Sequence, residues 1–408
     1  MYIKRQIEEA VLRMGQSYPV IMVCGQNKVG KSTMLNHIKE PGRRYVSLDD
    51  RNARRLAETD PALFLQTYGC PLLIDEFQKA PGLLETIKDM VDKKGYAGEP
   101  NAGLFWLSGS QKFRMMKDVS ESLAGRVAIL EMSSFSQSEL EGRGGLPFFP
   151  EIADLQTRPF TPKNTEEIYR RIFEGGMPKL ISDPAMDRDR YYSDYVNTYL
   201  ERDIRDLAQV GKINQFYDFL VYVASRTAQE IKYDDIAKAV GVSAPTAKSW
   251  ISILEQSGVI YILRPYASRL TNRLVKTPKL YFMDTGLAAY LCRWPNAETL
   301  QNGNMDGAFL ETYVVSEIVK SYWNAGKPLN DLYYYRDIDQ KEIGLLFAQA
   351  DALYPIEVKK AIAPTHPDKN FSALNKFGLT VKPGVVCCMV NEMTPINKNC
   401  YLFPVCGI

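Results

Sequence analysis

Four hundred and eight residues exceed one ordinary core, and at about 100–200 residues per domain the chain divides into two to four domains. Apolar residues at 45% and charged residues at 24% exclude a disordered tail. A formal net charge of +2, from 50 Lys+Arg and 48 Asp+Glu, excludes a global electrostatic footprint for nucleic acid.

The opening MYIKRQIEEAVLRMG alternates charged and apolar residues where a signal peptide would be uniformly apolar, and no apolar run approaches the roughly 18 residues of a membrane span. A cytoplasmic protein without a membrane partner is expected. Seven cysteines lacking a CxxC spacing read as reduced structural thiols, and with His37 and His366 alone, zinc and histidine chemistry have few candidates.

Residues 19–24, PVIMVC, form an apolar run suited to a strand buried on both faces, followed at once by GQNKVGKST and the helix-compatible MLNHIKE. Strand, glycine loop and helix together give G-x-x-x-x-G-K-[ST] in the context of a phosphate-binding loop. Gly25 and Gly30 permit the backbone turns, and the N–H groups of Asn27, Lys28, Val29 and their neighbours through Thr33 can wrap a polyphosphate. Lys31 supplies a point charge to the β- and γ-phosphates, the Ser32 hydroxyl can ligate Mg²⁺, and the positive helix end faces the phosphates. ATP with Mg²⁺ is the expected ligand.

PLLIDE, 71–76, adds an apolar strand ending in two carboxylates about 45 residues after the loop. Asp75 would hold Mg²⁺ and Glu76 would polarise the attacking water; the alternative is an ordinary surface pair. LFWLSGS ends at Ser110, either a hydroxyl that senses the γ-phosphate or a polar turn.

GQNKVGKST, LLIDEFQKAPGLLETIK, WLSGSQKF and SLAGRVAILEMSSFSQSEL together resemble the AAA-type ATPase domain of prokaryotic ATP-binding proteins with a C-terminal domain of unknown function, the DUF4143 group. FEGGMPKL, YLERDI, KTPKLYFMDTGLAAYL and YPIEVKKA are similar to later motifs of that family, so the resemblance covers nearly the whole chain. It implies an ASCE-type sheet, with Glu76 as catalytic carboxylate, Ser110 as sensor and Arg126 as a transition-state charge. On its residues alone, Arg126 reads equally as an ion-paired arginine near a strand end. Asn27 and Lys28 stand where relatives often have Arg-Gln, which leaves the backbone cradle intact.

Residues 213–265 predict a helix and then a helix-turn-helix, with a turn at Gly241, Ser243 as N-cap and a hairpin-like apolar run, summarised as a winged helix. Trp250, Ile251 and Leu254 read as core, leaving Lys248 as the one basic residue of the second helix. Arg264, Arg269, Arg273, Lys276 and Lys279 follow with no acid between them: either a phosphate grip for nucleic acid or a basic loop that is solvated or docked on an acidic neighbour.

Beyond about residue 300, a helix FLETYVVSEIVKSYW precedes strands LYYYRD, KEIGLLFAQ and ALYPIEVKK. With Glu311, Glu357 and Lys359, this resembles a restriction-endonuclease-like core. Period two puts Glu357 and Lys359 on one strand face, and Glu342 with Gly344 on another. Relatives tend to carry a metal-binding Asp where this chain has Gly344, so little or no cleavage is expected, with Glu357 and Lys359 read as an internal ion pair.

The expected fold is α/β: a P-loop parallel-sheet ATPase domain over 1–160, a helical and winged-helix domain over 161–300, and a small α+β nuclease-like domain over 301–408. The expected function is a Mg²⁺-dependent AAA-like ATPase acting as a nucleotide-driven switch, with a protein client and self-association as further partner expectations. The alternatives are a phosphotransferase with an acceptor pocket, and a nucleic-acid or protein-interaction module whose ATP is structural.

Overall fold

The computed structural model describes residues 2–109, 122–200, 213–267 and 277–408. Two compact units divide the chain: residues 1–135 with Gln256–Gly258 and Trp323–Lys327 make the first, and the remainder makes the second.

The first unit is built on a parallel sheet in the order β2-β3-β4-β1-β5, formed by Arg44–Ser47, Leu72–Asp75, Phe105–Gly109, Val20–Cys24 and Val127–Glu131. β1, β3 and β4 are buried at every residue, as an apolar strand covered on both faces requires. β4 lies between the strand that leads into the glycine loop and the strand that ends in the acidic pair, which is the ASCE strand arrangement. Helices α1 (Ile7–Gly15), α2 (Lys31–Ile38), α3 (Arg51–Thr59), α4 (Pro61–Tyr68) and α5 (Leu83–Tyr96) accompany the sheet. Leu83, Ile87 and Val91 recur at four-residue spacing on α5 and join Met22, Leu72, Ile74 and Phe105 in one core.

The second unit holds two sheets. β6 (Gln229–Glu230), β7 (Ile260–Leu263) and β8 (Lys279–Phe282) form an antiparallel sheet in the order β6-β8-β7, interleaved along the chain with helices Ile213–Ala224, Tyr233–Val240 and Ala244–Gln256. Gly241 adopts φ +75° to turn between the last two helices, and the Ser243 hydroxyl accepts from Thr246 N. Trp250, Ile251 and Leu254 are buried, and Lys248 is exposed.

The larger sheet has seven strands. β9 (Leu332–Arg336), β10 (Glu342–Gln349) and β11 (Ala352–Val358) run as an antiparallel meander, and β13 (Gly384–Cys388) and β15 (Cys400–Pro404) continue parallel to β11. β12 (Thr380–Val381) also pairs with β11, and β14 (Thr394–Asn397) closes the far edge. One register shift corrects the sequence reading: between Ile343 and Leu346 β10 carries one residue more than β9. Strict period two therefore fails across Gly344, where a glycine accommodates the bulge.

Two of the family-like segments meet inside this unit. Asp284, 1% exposed, caps helix Thr285–Leu291 by accepting from Leu287 N at 2.9 Å, and also accepts from Tyr192 OH at 2.8 Å and Gly176 N at 2.8 Å. A Cβ on Gly175 would stand 2.4 Å from Tyr192 OH and 2.9 Å from the Cα of Gly286, so Gly175 of FEGGMPKL and Gly286 of MDTGLAAYL are required by close approach.

Candidate functional site

The glycine loop leaves β1 at Cys24, where Gly25 adopts φ +136° and a Cβ would fall 2.0 Å from Met132 O, so only glycine fits. Gly30, at φ 93°, ends the loop and caps α2. Lys28 also adopts a left-handed conformation, at φ 63°. Arg5, buried, donates to Val29 O at 2.9 Å and to Ser133 O at 2.8 Å, fastening the loop to the segment after β5. Lys31 Nζ donates to Gly25 O at 2.9 Å and Gln26 O at 2.6 Å, inside the curve of the loop.

The acidic strand ends against α2. Ser32 Oγ donates to Asp75 Oδ1 at 2.7 Å, so the two side chains expected to share a metal are already in contact. Both are hard oxygen donors of the kind Mg²⁺ takes, and the pair fits that ion. Two residues absent from the sequence reading complete the surroundings. Ser108 Oγ on β4 donates to Asp75 Oδ1, and Tyr45 OH on β2 donates to Asp75 Oδ2 at 3.1 Å. Burial and the neighbouring Asp75 charge push the Tyr45 phenol up to about 12, so it stays protonated and donates. A serine in an otherwise apolar buried strand was the available signal for Ser108, since a buried hydroxyl needs a partner. Tyr45 carried none.

Glu76 follows with φ 54°, a left-handed conformation that a non-glycine residue adopts at a cost of about 1–3 kcal/mol. Gln78 Nε2 donates to Glu76 Oε2 at 2.6 Å and orients the carboxylate. Ser110 lies outside the described residues. Gly258 completes the surroundings: its ideal Cβ would stand 3.5 Å from Gln26 N and 3.8 Å from Gly25 Cα. Gln26 itself is 1% exposed, and among the described residues neither atom of its side-chain amide has a partner.

Arg126 is not brought to this site. Val20 pairs with Val127 and Cys24 with Glu131, so Arg126 stands at the amino edge of the sheet, about five residues or ~15 Å from the carboxyl edge that bears the loop. Its guanidinium is bidentate on Asp92, at 2.6 and 2.9 Å. That hydrogen-bonded pairing holds the Asp92 carboxyl below its usual range.

Of the basic residues proposed for nucleic acid, Arg264 is exposed, whereas Arg269, Arg273 and Lys276 lie outside the described residues. Lys279 corrects the expectation. It is 4% exposed, with Nζ 2.6 Å from Glu342 Oε1 and 3.3 Å from Glu311 Oε1, and a side chain spent on two internal carboxylates cannot grip a phosphate. Glu357 and Lys359 pair at 3.3 Å beside Gly344.

Residues 17–141 match the family model of an AAA domain, and 306–407 that of a domain of unknown function, DUF4143. The chain joins an AAA domain to a DUF4143 domain. Between them, residues 165–298 match a further domain of unknown function, DUF8612. Uncharacterized proteins of Mycobacterium tuberculosis and Mycobacterium bovis are each 26% identical over 385 residues, covering 92% of this chain and 78% of theirs. A Walker-type ATPase of Pyrococcus abyssi is similar in structure over 71% of this chain and 96% of its own, at 15% identity and a TM-score of 0.42. The AAA match places residues 17–141 in the P-loop ATPase class at the level of family. No helix among the described residues is long and apolar enough to cross a membrane.

Proposed function

We propose that the protein is a Mg²⁺-dependent ATPase whose nucleotide state acts as a switch on the rest of the chain. The observation that carries the reading is the convergence of Lys31, Ser32, Asp75 and Glu76 at the carboxyl edge of one parallel sheet. In this reading the loop N–H groups and Lys31 bind the β- and γ-phosphates, and Ser32 and Asp75 hold the metal. Glu76, oriented by Gln78, accepts a proton from the attacking water as it reaches the γ-phosphorus. Bound Mg²⁺ would draw charge from the phosphate oxygens. Tyr45 and Ser108 keep Asp75 facing Ser32.

The switch part of the reading rests on Gln256–Gly258. These three residues belong to the ATPase unit, while the chain on either side, helix Ala244–Gln256 up to Glu255 and β7 beyond, belongs to the other. With Gly258 against Gln26, a rearrangement of the loop on binding nucleotide reaches the ends of both elements through the backbone. The described helices and strands of 213–267 and 277–282 support the winged-helix reading, in which Lys248 and Arg264 are exposed basic residues.

ATP hydrolysis with Mg²⁺, with and without duplex and single-stranded DNA, tests the reading. Glu76→Gln should lower turnover by about 100-fold or more and leave nucleotide binding intact, while Lys31→Ala should lose binding. Retained turnover in Glu76→Gln rejects the catalytic assignment. Stimulation by DNA makes the switch nucleic-acid-coupled; tight binding without turnover under all conditions makes ATP a structural ligand.

A further inference from the structure

Residues 2–8 tie the glycine loop to the helix that follows it. Tyr2 stacks on His37 of α2 with ring centres 3.8 Å apart, and its hydroxyl donates to Glu8 Oε1 at 2.6 Å. The same oxygen accepts from Arg5 N at 2.6 Å, which fixes the backbone from which the Arg5 side chain turns inward. Arg5 is 2% exposed, and its guanidinium lies 4.3 Å from the centre of the Phe135 ring. A cation taken out of water is costly unless its donors are placed. Here two of them go to backbone carbonyls, Val29 O at 2.9 Å and Ser133 O at 2.8 Å.

Val29 precedes Gly30, and the bond between them is trans. A trans peptide holds its C=O and N–H antiparallel in one rigid plane. With Val29 O held on Arg5, the Gly30 N–H therefore points away from Arg5. Gly30 leaves that plane free to rotate about its own φ, so the anchor on Val29 O is what fixes it. The plane carries charge as well as direction: a carbonyl that accepts from a cation is polarised, and the N–H of the same peptide becomes a stronger donor. Val29 is fully buried, so little water screens the pair.

We propose that Arg5 is a positioning residue for the polyphosphate: through Val29 O it aims and polarises the Gly30 N–H toward the phosphates, so its charge acts on the nucleotide across a peptide unit without touching it. This rests on the reading of the glycine loop as the nucleotide site. Lys31 brings charge to the loop from inside its curve, and Arg5 brings it from behind. Ser133 O holds the other arm of the guanidinium fork, which keeps the cation in place beside the loop. The nucleoside takes no part, so the effect belongs to the phosphates alone, whatever base they carry.

Steady-state hydrolysis of ATP with Mg²⁺, together with binding of tripolyphosphate with Mg²⁺, tests this in the full-length protein. Arg5→Met should raise KM for ATP and Kd for tripolyphosphate by similar factors, on the order of tenfold, with kcat kept within about twofold, because the Gly30 N–H holds ground and transition states alike. A purely structural arginine would lower Tm and, through the folded fraction, kcat, and would leave KM unchanged; that result overturns the proposal. A rise in KM for ATP with tripolyphosphate binding unaltered overturns it too. Should Arg5→Met fail to fold, Arg5→Gln, which keeps a neutral donor, decides: a rise in KM of about threefold or more at unchanged kcat is expected, and an unchanged KM rejects the role. Wild type that binds ATP without turnover rejects the ATPase reading alone, and Kd for ATP then replaces KM. Wild type that binds neither ATP nor tripolyphosphate rejects both.

Discussion

At the scale of single residues, a carboxylate's surroundings fix its role. Asp75 accepts hydrogen bonds from Ser32, Ser108 and Tyr45, three donors that fix its orientation at the end of β3. Glu357 lies in a different setting: burial and the Glu311 charge raise its pKa, against Lys359 and the Gly344 N–H. A carboxyl whose folded pKa is raised is protonated more readily in the native state, so it contributes stability below its unfolded pKa and withdraws it as pH rises towards the folded one. Glu357→Gln should therefore raise Tm at pH 7, with the gain shrinking as the pH falls towards the ordinary carboxylate range near 4.3. Unfolding curves at pH 7 and pH 4.5 check it; a variant less stable at pH 7 would show that the ion pair with Lys359 outweighs burial. The residue alone announces none of this. Asp75 and Glu76 were legible as an acidic pair ending a strand, but Tyr45 and Ser108 sit on two other strands, at separations no local pattern spans.

At the scale of elements, the glycine loop combines two constraints that act at different ranges. Its spacing and the strand and helix around it are local, which is why they could be read from nine consecutive residues. The absolute need for glycine at position 25 comes from Met132, more than a hundred residues away, whose carbonyl occupies the space of a Cβ. Gly25→Ala should destabilise the ATPase unit by about 2 kcal/mol or more, because both φ and the backbone contact oppose the methyl group. Denaturant unfolding with nucleotide absent measures that cost apart from any loss of binding. The bulge in β10 teaches the same lesson: alternation placed Glu342 and Gly344 on one face, and a single extra residue between Ile343 and Leu346 broke the count.

For the whole molecule, distance along the sheet decides what Arg126 can do. It sits at the amino edge, bidentate on Asp92, while the glycine loop sits at the carboxyl edge. Arg126→Ala should leave ATP turnover of dilute protein within about twofold, the range expected of a partly exposed ion pair. A large loss that grows with protein concentration would instead assign the arginine to a neighbouring protomer's nucleotide. In the second unit, Asp284→Ala should cost about 3 kcal/mol or more, since Tyr192 OH and the N–H groups of Gly176 and Leu287 lose one shared acceptor in a buried place. A loss of helicity without loss of the ATPase sheet, followed by circular dichroism and nucleotide binding, would locate the damage in that unit.

The sequence by itself determined the strand, glycine loop and helix, the acidic strand and the helix-turn-helix, because each rests on hydrophobic period and backbone requirements within a few consecutive residues. Only the tertiary structure decided which side chains those elements bring together. Lys279 reads as one more cation in a basic stretch, yet its strand buries it between carboxylates 32 and 63 residues away. FEGGMPKL and MDTGLAAYL read as separate motifs, yet Asp284 joins them through a hydrogen bond spanning 108 residues. Burial and charge pairing depend on where the folded chain returns upon itself, and composition or spacing along a line carries no record of that return.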